Sequence, residues 1–199
     1  MRGAFEAHVT VEAKTPAQLA ALRARAAEWG IACVEIELAH GAHRAQPMTS
    51  SHHCGELASV IAEVDALRAR IAGAGFAIAR VKLEADVENA GVPAGDDGGA
   101  GYFEAHVKLR DGGADALARL AEIAARGGAR LSRNARRAGE RFATLRVYRA
   151  GLRAADAEIA ALAAAFGDSV LGVIREYVVH DSRVELDAGW LEPPGERCP

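Results

Sequence analysis

The pentapeptide FEAHV occurs twice in this chain, at residues 5–9 and at residues 103–107, and this repeat constrains the fold more than any other feature. Aligning the two copies brings the downstream segments into one order: strand, helix, two strands, helix, strand. Apolar residues at helical spacing predict the helices, and apolar–polar alternation predicts the strands. The sequence therefore predicts two copies of a βαββαβ unit.

This order of elements is that of the ferredoxin-like fold, a four-stranded antiparallel sheet with both helices on one face. We therefore predict an α+β protein formed by tandem duplication of a ferredoxin-like unit, with two antiparallel sheets and the helices on their outer faces. The predicted boundaries are 1–88 for the first repeat, 89–100 for a glycine-rich linker, 101–186 for the second repeat and 187–199 for a C-terminal tail.

The strands are predicted to have one apolar and one polar face, because successive side chains of a strand point to opposite faces. The apolar faces of the two opening strands comprise Phe5, Ala7, Val9, Val11, Phe103, Ala105, Val107 and Leu109. Their polar faces comprise Glu6, His8, Thr10, Glu104, His106 and Lys108. The same alternation places Arg80, Arg146 and Tyr148 on the polar faces of later strands.

Two arrangements of these polar faces are open. They face water, as antiparallel sheets often do, or they turn toward each other and line a cleft. In a ferredoxin-like sheet the opening strand is central, so in the second arrangement Glu6, His8, Glu104 and His106 lie near the middle of the cleft. We predict a polar cleft between the two repeats.

The duplicated Glu-x-His pairs suit two kinds of chemistry. As catalytic residues, Glu6, His8, Glu104 and His106 would form general acid–base pairs in which the carboxylate orients the imidazole and raises its pKa. As metal ligands, the same four residues with His52 would offer a mixed nitrogen and oxygen set for a divalent ion such as Zn²⁺, Fe²⁺, Mn²⁺ or Ni²⁺. The sequence leaves both open.

The histidine cluster SHHCG, residues 51–55, lies at the end of a predicted strand. If the strand continues through it, His52 and His53 point to opposite faces. The alignment of the repeats matches His52 with Tyr148 and His53 with Arg149, so His52 is the one that faces the cleft.

The predicted substrate-binding residues are mostly cationic. Lys108, Arg80 and Arg146 would attract an anionic or phosphorylated small molecule, and Thr10 and Tyr148 complete this set. A small-molecule ligand is therefore the expected partner.

Net charge, apolar runs and cysteine spacing argue against several other functions and locations. The net charge of −3 argues against nucleic-acid binding. The sequence has neither a run of apolar residues long enough for a membrane helix nor the pattern of a secretory signal. Its three cysteines lack a CxxC spacing, which is typical of a reducing compartment, so we expect a cytoplasmic protein.

Two families share short motifs with this chain. His8-Val9-Thr10 resembles the His-x-Thr motif of the bilobed 2H phosphoesterases, in which two histidines act as acid and base and the threonines hold phosphate. The second copy, His106-Val107-Lys108, has lysine in place of that threonine. The opening strand AHVTV is also similar to that of the vicinal-oxygen-chelate family, whose modules are βαβββ, whereas both halves here carry a second helix.

The leading functional hypothesis is a small-molecule enzyme with a Glu/His-lined cleft, with or without a divalent metal. The alternative is a non-enzymatic ligand-binding or assembly module, in which the open sheets pack on each other or on a second chain, as in a homodimer. A 2H-like phosphoesterase is a further alternative. The sequence leaves open whether the protein is an enzyme.

Overall fold

A computed structural model of the chain describes residues 1–38, 41–95, 99–133, 137 and 139–191. Each half of these residues follows the predicted order of elements. The first half contains β1 (Arg2–Val11), α1 (Pro16–Glu28), β2 (Ala32–Glu37), β3 (Ala45–Glu56), α2 (Leu57–Gly73) and β4 (Ile78–Asp86). The second contains β5 (Tyr102–Arg110), α3 (Ala114–Arg126), β6 (Arg130–Arg133), β7 (Glu140–Tyr148), α4 (Leu152–Phe166) and β8 (Val170–Asp181).

The strands form one sheet, so the prediction of two separate sheets is wrong. The eight strands lie in the order β2-β3-β1-β4-β8-β5-β7-β6, and the pairs along this order are antiparallel. Each half supplies four neighbouring strands, and the halves join where β4 pairs with β8. The reason is that an edge strand has unpaired backbone N–H and C=O groups, and these two edges satisfy each other. The α+β class and the four helices agree with the prediction.

The two outermost strands of the sheet also approach each other. An antiparallel bridge joins Leu38, just beyond β2, to Ser132 in β6. The sheet therefore curls until its edges meet, which gives it an outer face and an inner face. Trp190 and Leu191 pack on Leu38 at this junction, and the Trp190 indole N–H donates to the Leu131 carbonyl oxygen at 3.2 Å.

The helices cover the outer face. Residues of all four helices share a single hydrophobic core with the apolar faces of the strands. The predicted apolar residues of β1 and β5 are 0–2% exposed, which confirms their assignment. Helix α1 shows why the sequence folds this way locally: Thr15 and Gln18 form a capping box at its start, and Gly30 has a positive φ of 70° just past its end.

The predicted tail is part of the folded structure as far as residue 191. The boundary at residue 187 falls inside a 3₁₀ turn, Val184–Asp187, and the Asp187 carboxylate is buried. Linker residues 96–98 and tail residues 192–199 lie outside the described part of the chain. The other domain boundaries stay predictions. No helix among the described residues is long and apolar enough to cross a membrane.

Trp190 is expected to hold the two edges of the sheet together. Trp190→Ala should lower the free energy of unfolding by about 3 kcal/mol, because it removes a buried aromatic side chain and its hydrogen bond. Urea unfolding followed by far-UV circular dichroism measures this. The matched control is Trp29→Ala, since Trp29 is only half-buried at the end of α1. Equal losses in the two variants would contradict this role.

Candidate functional site in the inner cavity

The inner face of the curled sheet surrounds a cavity of about 880 Å³. Glu6, His8, Glu104 and His106 all lie on its wall, so the structure brings the two Glu-x-His pairs together. Strands β1 and β5 flank the β4–β8 pair, which places the pairs on either side of the line where the halves meet. The prediction that both pairs share one polar site is thus consistent with this geometry, although a single curled sheet makes the site.

A lysine from the first half connects the carboxylates at the centre of the cavity. The Lys82 ammonium contacts both Glu84 and Glu104, and all three side chains are less than a tenth exposed. Arg146 donates to the other oxygen of Glu104. His8 Nε2 lies 2.9 Å from Glu84 Oε2. Ion pairs thus cross the β4–β8 junction and tie the two halves to each other.

A second buried network lies on the wall of the same cavity. Arg80 and Arg146 both contact the carboxylate of Asp187, and Gln46 donates to its other oxygen at 2.8 Å. Arg80 also pairs with Asp181. The two arginines predicted to bind an anionic substrate therefore donate most of their hydrogen bonds to carboxylates of the chain itself. Nη1 of Arg146 is buried without a hydrogen-bond partner among the described residues.

These contacts determine the ionisation of the carboxylates. Burial alone would raise the pKa of Glu84, but the Lys82 ammonium and His8 hold it at about 2. Burial likewise opposes ionisation of Glu104, yet Arg146 and Lys82 keep its pKa well below the usual range. Both carboxylates are therefore ionised at neutral pH.

The two histidines are each bonded to one of these carboxylates. Burial tends to lower their pKa values, but the contact with Glu84 raises the pKa of His8 and the contact with Glu104 raises that of His106. His106 Nδ1 lies 3.0 Å from the Thr144 hydroxyl. In contrast, His8 Nδ1 is buried and has no hydrogen-bond partner in the described part of the chain.

Glu176 on β8 faces the same cavity and was not among the predicted residues. Its carboxylate lies 3.8 Å from His106 Nε2. Burial, followed by the negative charge of Glu84, raises the pKa of Glu176 to about 7. The signal in the sequence is the alternation along VLGVIREYVVHD, residues 170–181, which places Glu176 on the face opposite to Tyr177. In the structure Glu176 lies opposite Glu104 in the β5–β8 register, just as Glu84 lies opposite Glu6 in the β1–β4 register.

His52 lies at the cavity, as expected, but it corresponds to a different residue of the second half from the one predicted. The β1–β3 register places it opposite Glu6, and the β5–β7 register places Arg146 opposite Glu104. His52 therefore corresponds to Arg146, and the alignment with Tyr148 is wrong. The imidazole of His52 is 80% exposed at the cavity mouth, 3.9 Å from the Glu6 carboxylate. Glu6 also accepts a hydrogen bond from Ser50.

The other predicted substrate-binding residues divide between two locations. Thr10 is buried on the cavity wall. Lys108 pairs instead with Glu140 at 2.9 Å, and Tyr148 packs against Tyr102 with ring centroids 4.9 Å apart. Neither Lys108 nor Tyr148 is among the described residues that line the cavity.

The predicted metal ligands do not assemble as a set of five. The described residues that bring three ligand atoms within 4.8 Å of one another are Glu84, Glu104 and His106, two of which were predicted. Lys82 contacts both carboxylates of this group. A divalent ion bound there would have to displace an ammonium that already offsets the two negative charges, so these residues fit a metal poorly.

No protein-family model and no curated protein matches the chain. Among solved structures, it is similar to the regulatory subunit of aspartate kinase from Thermus thermophilus, with 16% identity, a TM-score of 0.36 and coverage of 83% of this chain and 94% of that one. It is also similar to chlorite dismutase from Candidatus Nitrospira defluvii, with 11% identity, a TM-score of 0.30 and coverage of 90% and 92%. TM-scores below 0.5 support neither a family nor a function for this chain.

The central lysine is expected to stabilise the fold far more than a peripheral one. Lys82→Met should lower the free energy of unfolding by about 3–5 kcal/mol, because it leaves Glu84 and Glu104 buried without their shared cation. Lys108→Met is the matched control. Since the Lys108–Glu140 pair is partly exposed, its loss should cost about 1 kcal/mol or less. Urea unfolding at neutral pH measures both, and similar losses would contradict the central role of Lys82.

Proposed function

We propose that the protein binds a small polar molecule in the inner cavity and transfers protons to and from it, with His8, His106 and Glu176 as the acid and base groups. One observation carries this proposal. The cavity wall holds an imidazole and a carboxyl group 3.8 Å apart, His106 and Glu176, with the pKa of one raised and that of the other about 7. General acid–base catalysis is most effective when the pKa lies near the working pH.

Unpartnered polar atoms support a ligand at this place. Buried polar groups are normally hydrogen-bonded, but His8 Nδ1 and Arg146 Nη1 have no such partner among the described residues. Both side chains line the cavity. A bound molecule with one acceptor and one group able to donate to an imidazole nitrogen would satisfy the two atoms.

The chemistry follows from the hydrogen bonds of each group. Ionised Glu84 accepts a hydrogen from Nε2 of His8, which leaves Nδ1 as the nitrogen that accepts or donates a proton at the ligand. Glu176 near neutrality is present in both protonation states, so it can remove a proton in one step and return it in another. Lys82 and Arg146 keep Glu104 ionised, which makes Glu104 a positioning residue for His106.

The wall also restricts which molecules fit. Met48, Phe142 and Ile174 provide apolar surface beside the ionisable groups. The substrate class that matches is a small molecule with a polar head and an apolar remainder, such as a short oxo or hydroxy acid. The 2H-like alternative is less favoured, because Nε2 of His8 is bonded to a carboxylate of the chain and Lys108 lies away from the cavity.

The raised pKa of Glu176 makes stability depend on pH. Its value of about 7 lies above the 4.5 of an unperturbed glutamate, so its contribution to folding is complete below pH 4.5 and is lost as pH rises through 7. Between about pH 5 and about pH 8 the free energy of unfolding of the parent protein should therefore fall relative to that of Glu176→Gln, by up to about 3 kcal/mol. Urea unfolding at several pH values tests this. The exposed Glu158→Gln on α4 is the control, and the same pH slope in all three proteins would contradict the assignment.

A ligand screen with an exchange readout tests the function. The probes are short oxo acids, hydroxy acids, sugar phosphates and cyclic phosphodiesters, first by thermal shift and then by proton NMR in D₂O. We expect at least one oxo or hydroxy acid to bind and to lose a carbon-bound proton signal through exchange with solvent. Glu176→Gln and His106→Gln should slow the exchange at least tenfold, whereas Glu158→Gln should leave it unchanged.

The other outcomes separate the alternatives. Binding without exchange, unaffected by both cavity substitutions, would identify a non-enzymatic binding module. Turnover of a cyclic phosphodiester would favour the 2H-like reading. If no probe binds, the proposal of a ligand cavity fails for these classes of molecule.

A further inference from the structure

Outside the cavity, three side chains on the outer face of β3 and on α2 form a hydrogen-bonded chain. The Ser51 hydroxyl lies 2.9 Å from Nε2 of His53, and Nδ1 of His53 lies 2.8 Å from Oε2 of Glu63. Ser51 and His53 are two residues apart on β3, so both point to the same face, toward helix α2, which supplies Glu63. The proposed function uses none of these residues.

The carboxylate determines the direction of both hydrogen bonds. An ionised Glu63 can only accept, so Nδ1 of His53 carries the hydrogen that it receives. Nε2 then has a free lone pair and accepts the hydroxyl hydrogen of Ser51. A serine hydroxyl on one imidazole nitrogen and a carboxylate on the other is the arrangement that activates serine as a nucleophile in hydrolases.

The backbone beside Ser51 offers a donor for a developing oxyanion. Pairing of β2 with β3 ends at Ala32 and Ser50, so β3 has an open edge from residue 51 onward. In an antiparallel pair, alternate residues of a strand form backbone hydrogen bonds to the partner strand. Leu57 N–H donates to the Met1 carbonyl oxygen, so the odd-numbered residues of β3 are the ones that bond to β1. The N–H of His52 therefore points to the open edge, directly after the serine.

There is also space for a substrate next to this group. Gly55 lies on the same face as His53, and a Cβ atom placed on it would meet nothing within 4 Å. Ser51 itself is only 7% exposed. The approach is thus open at Gly55 but narrow at the imidazole, whose side chain is 11% exposed, and at the hydroxyl, which restricts the substrate to a small acyl group.

We propose that Ser51, His53 and Glu63 form a second site that hydrolyses small acyl esters. The Ser51 oxygen bonds to the acyl carbon while its proton passes to Nε2 of His53. The ester C–O bond then breaks, and the leaving alcohol takes that proton. Water next attacks the acyl-serine, giving its proton to His53, and the carboxylic acid leaves as the serine oxygen recovers a proton. No oxidant, metal or cofactor is required.

The test uses a fluorophosphonate probe, which labels activated serines covalently, and p-nitrophenyl acetate as a small ester. We expect one adduct on the 199-residue chain, located at Ser51 by peptide mass spectrometry. Ser51→Ala and His53→Gln should abolish the adduct and reduce ester hydrolysis at least tenfold. Glu63→Gln should reduce both only several-fold, because Glu63 is more than half exposed and its charge is screened by solvent.

Two variants outside the proposed group serve as matched controls. Ser50→Ala removes a serine hydroxyl from the inner face of the same strand, and His43→Ala removes an exposed imidazole from the loop before β3. Both should leave labelling and hydrolysis unchanged. Circular dichroism verifies that each variant is folded. No adduct on the folded parent protein, or an adduct that persists in His53→Gln, would overturn the proposal. Hydrolysis that is lost in His43→Ala rather than in His53→Gln would also overturn it, since that result indicates an exposed imidazole acting alone.

Discussion

The antiparallel pairing of β4 with β8 determines which side chains meet inside this protein. Each half alone would end in an edge strand with unsatisfied backbone groups and would face water with its polar side. Joining the two edges makes one sheet, and its curvature turns the polar side into the wall of a cavity. The apolar side of the same strands remains under the helices. Both the core and the candidate site therefore depend on this one strand pair.

Burying the charged side chains of the inner face has a large electrostatic cost, which the ion pairs between them must offset. Removing a charge from water costs several kcal/mol unless a partner and further hydrogen bonds replace the solvent. Glu104 forms ion pairs with Lys82 and Arg146. Asp187 forms ion pairs with Arg80 and Arg146 and accepts a hydrogen bond from Gln46. Such a network is a rigid arrangement of fixed charges. Its carboxylates set the protonation of the histidines beside them, which is how a structural network can also prepare a reactive site.

Local pattern was sufficient for the elements and for the face of each residue, but not for the contacts between strands. Alternation identified Glu6, His8, Glu104 and His106 as inner-face residues, because side-chain direction depends only on position along a strand. Register depends on loop lengths, which differ between the halves. Glu6 and Glu104 are 98 positions apart, whereas the equivalent residues Glu84 and Glu176 are 92 apart. His52 and Arg146, which are equivalent in the registers, are 94 apart, whereas the alignment of His52 with Tyr148 assumed an offset of 96. β4 and β8 are far apart in the sequence, and local periodicity does not indicate which edge strands pair with each other.

The difference between the halves explains why only one of two equivalent carboxyl groups titrates near neutrality. Opposite His8 in the β1–β4 pair lies Lys82, and opposite His106 in the β5–β8 pair lies Ile174. Glu84 therefore has a lysine two residues away on its own strand, and its pKa is held at about 2. Glu176 has an isoleucine there, so burial dominates and its pKa rises to about 7. The same exchange of lysine for isoleucine places apolar surface beside Glu176. One half thus supplies the fixed cation of the cavity, and the other supplies a group that can change its charge.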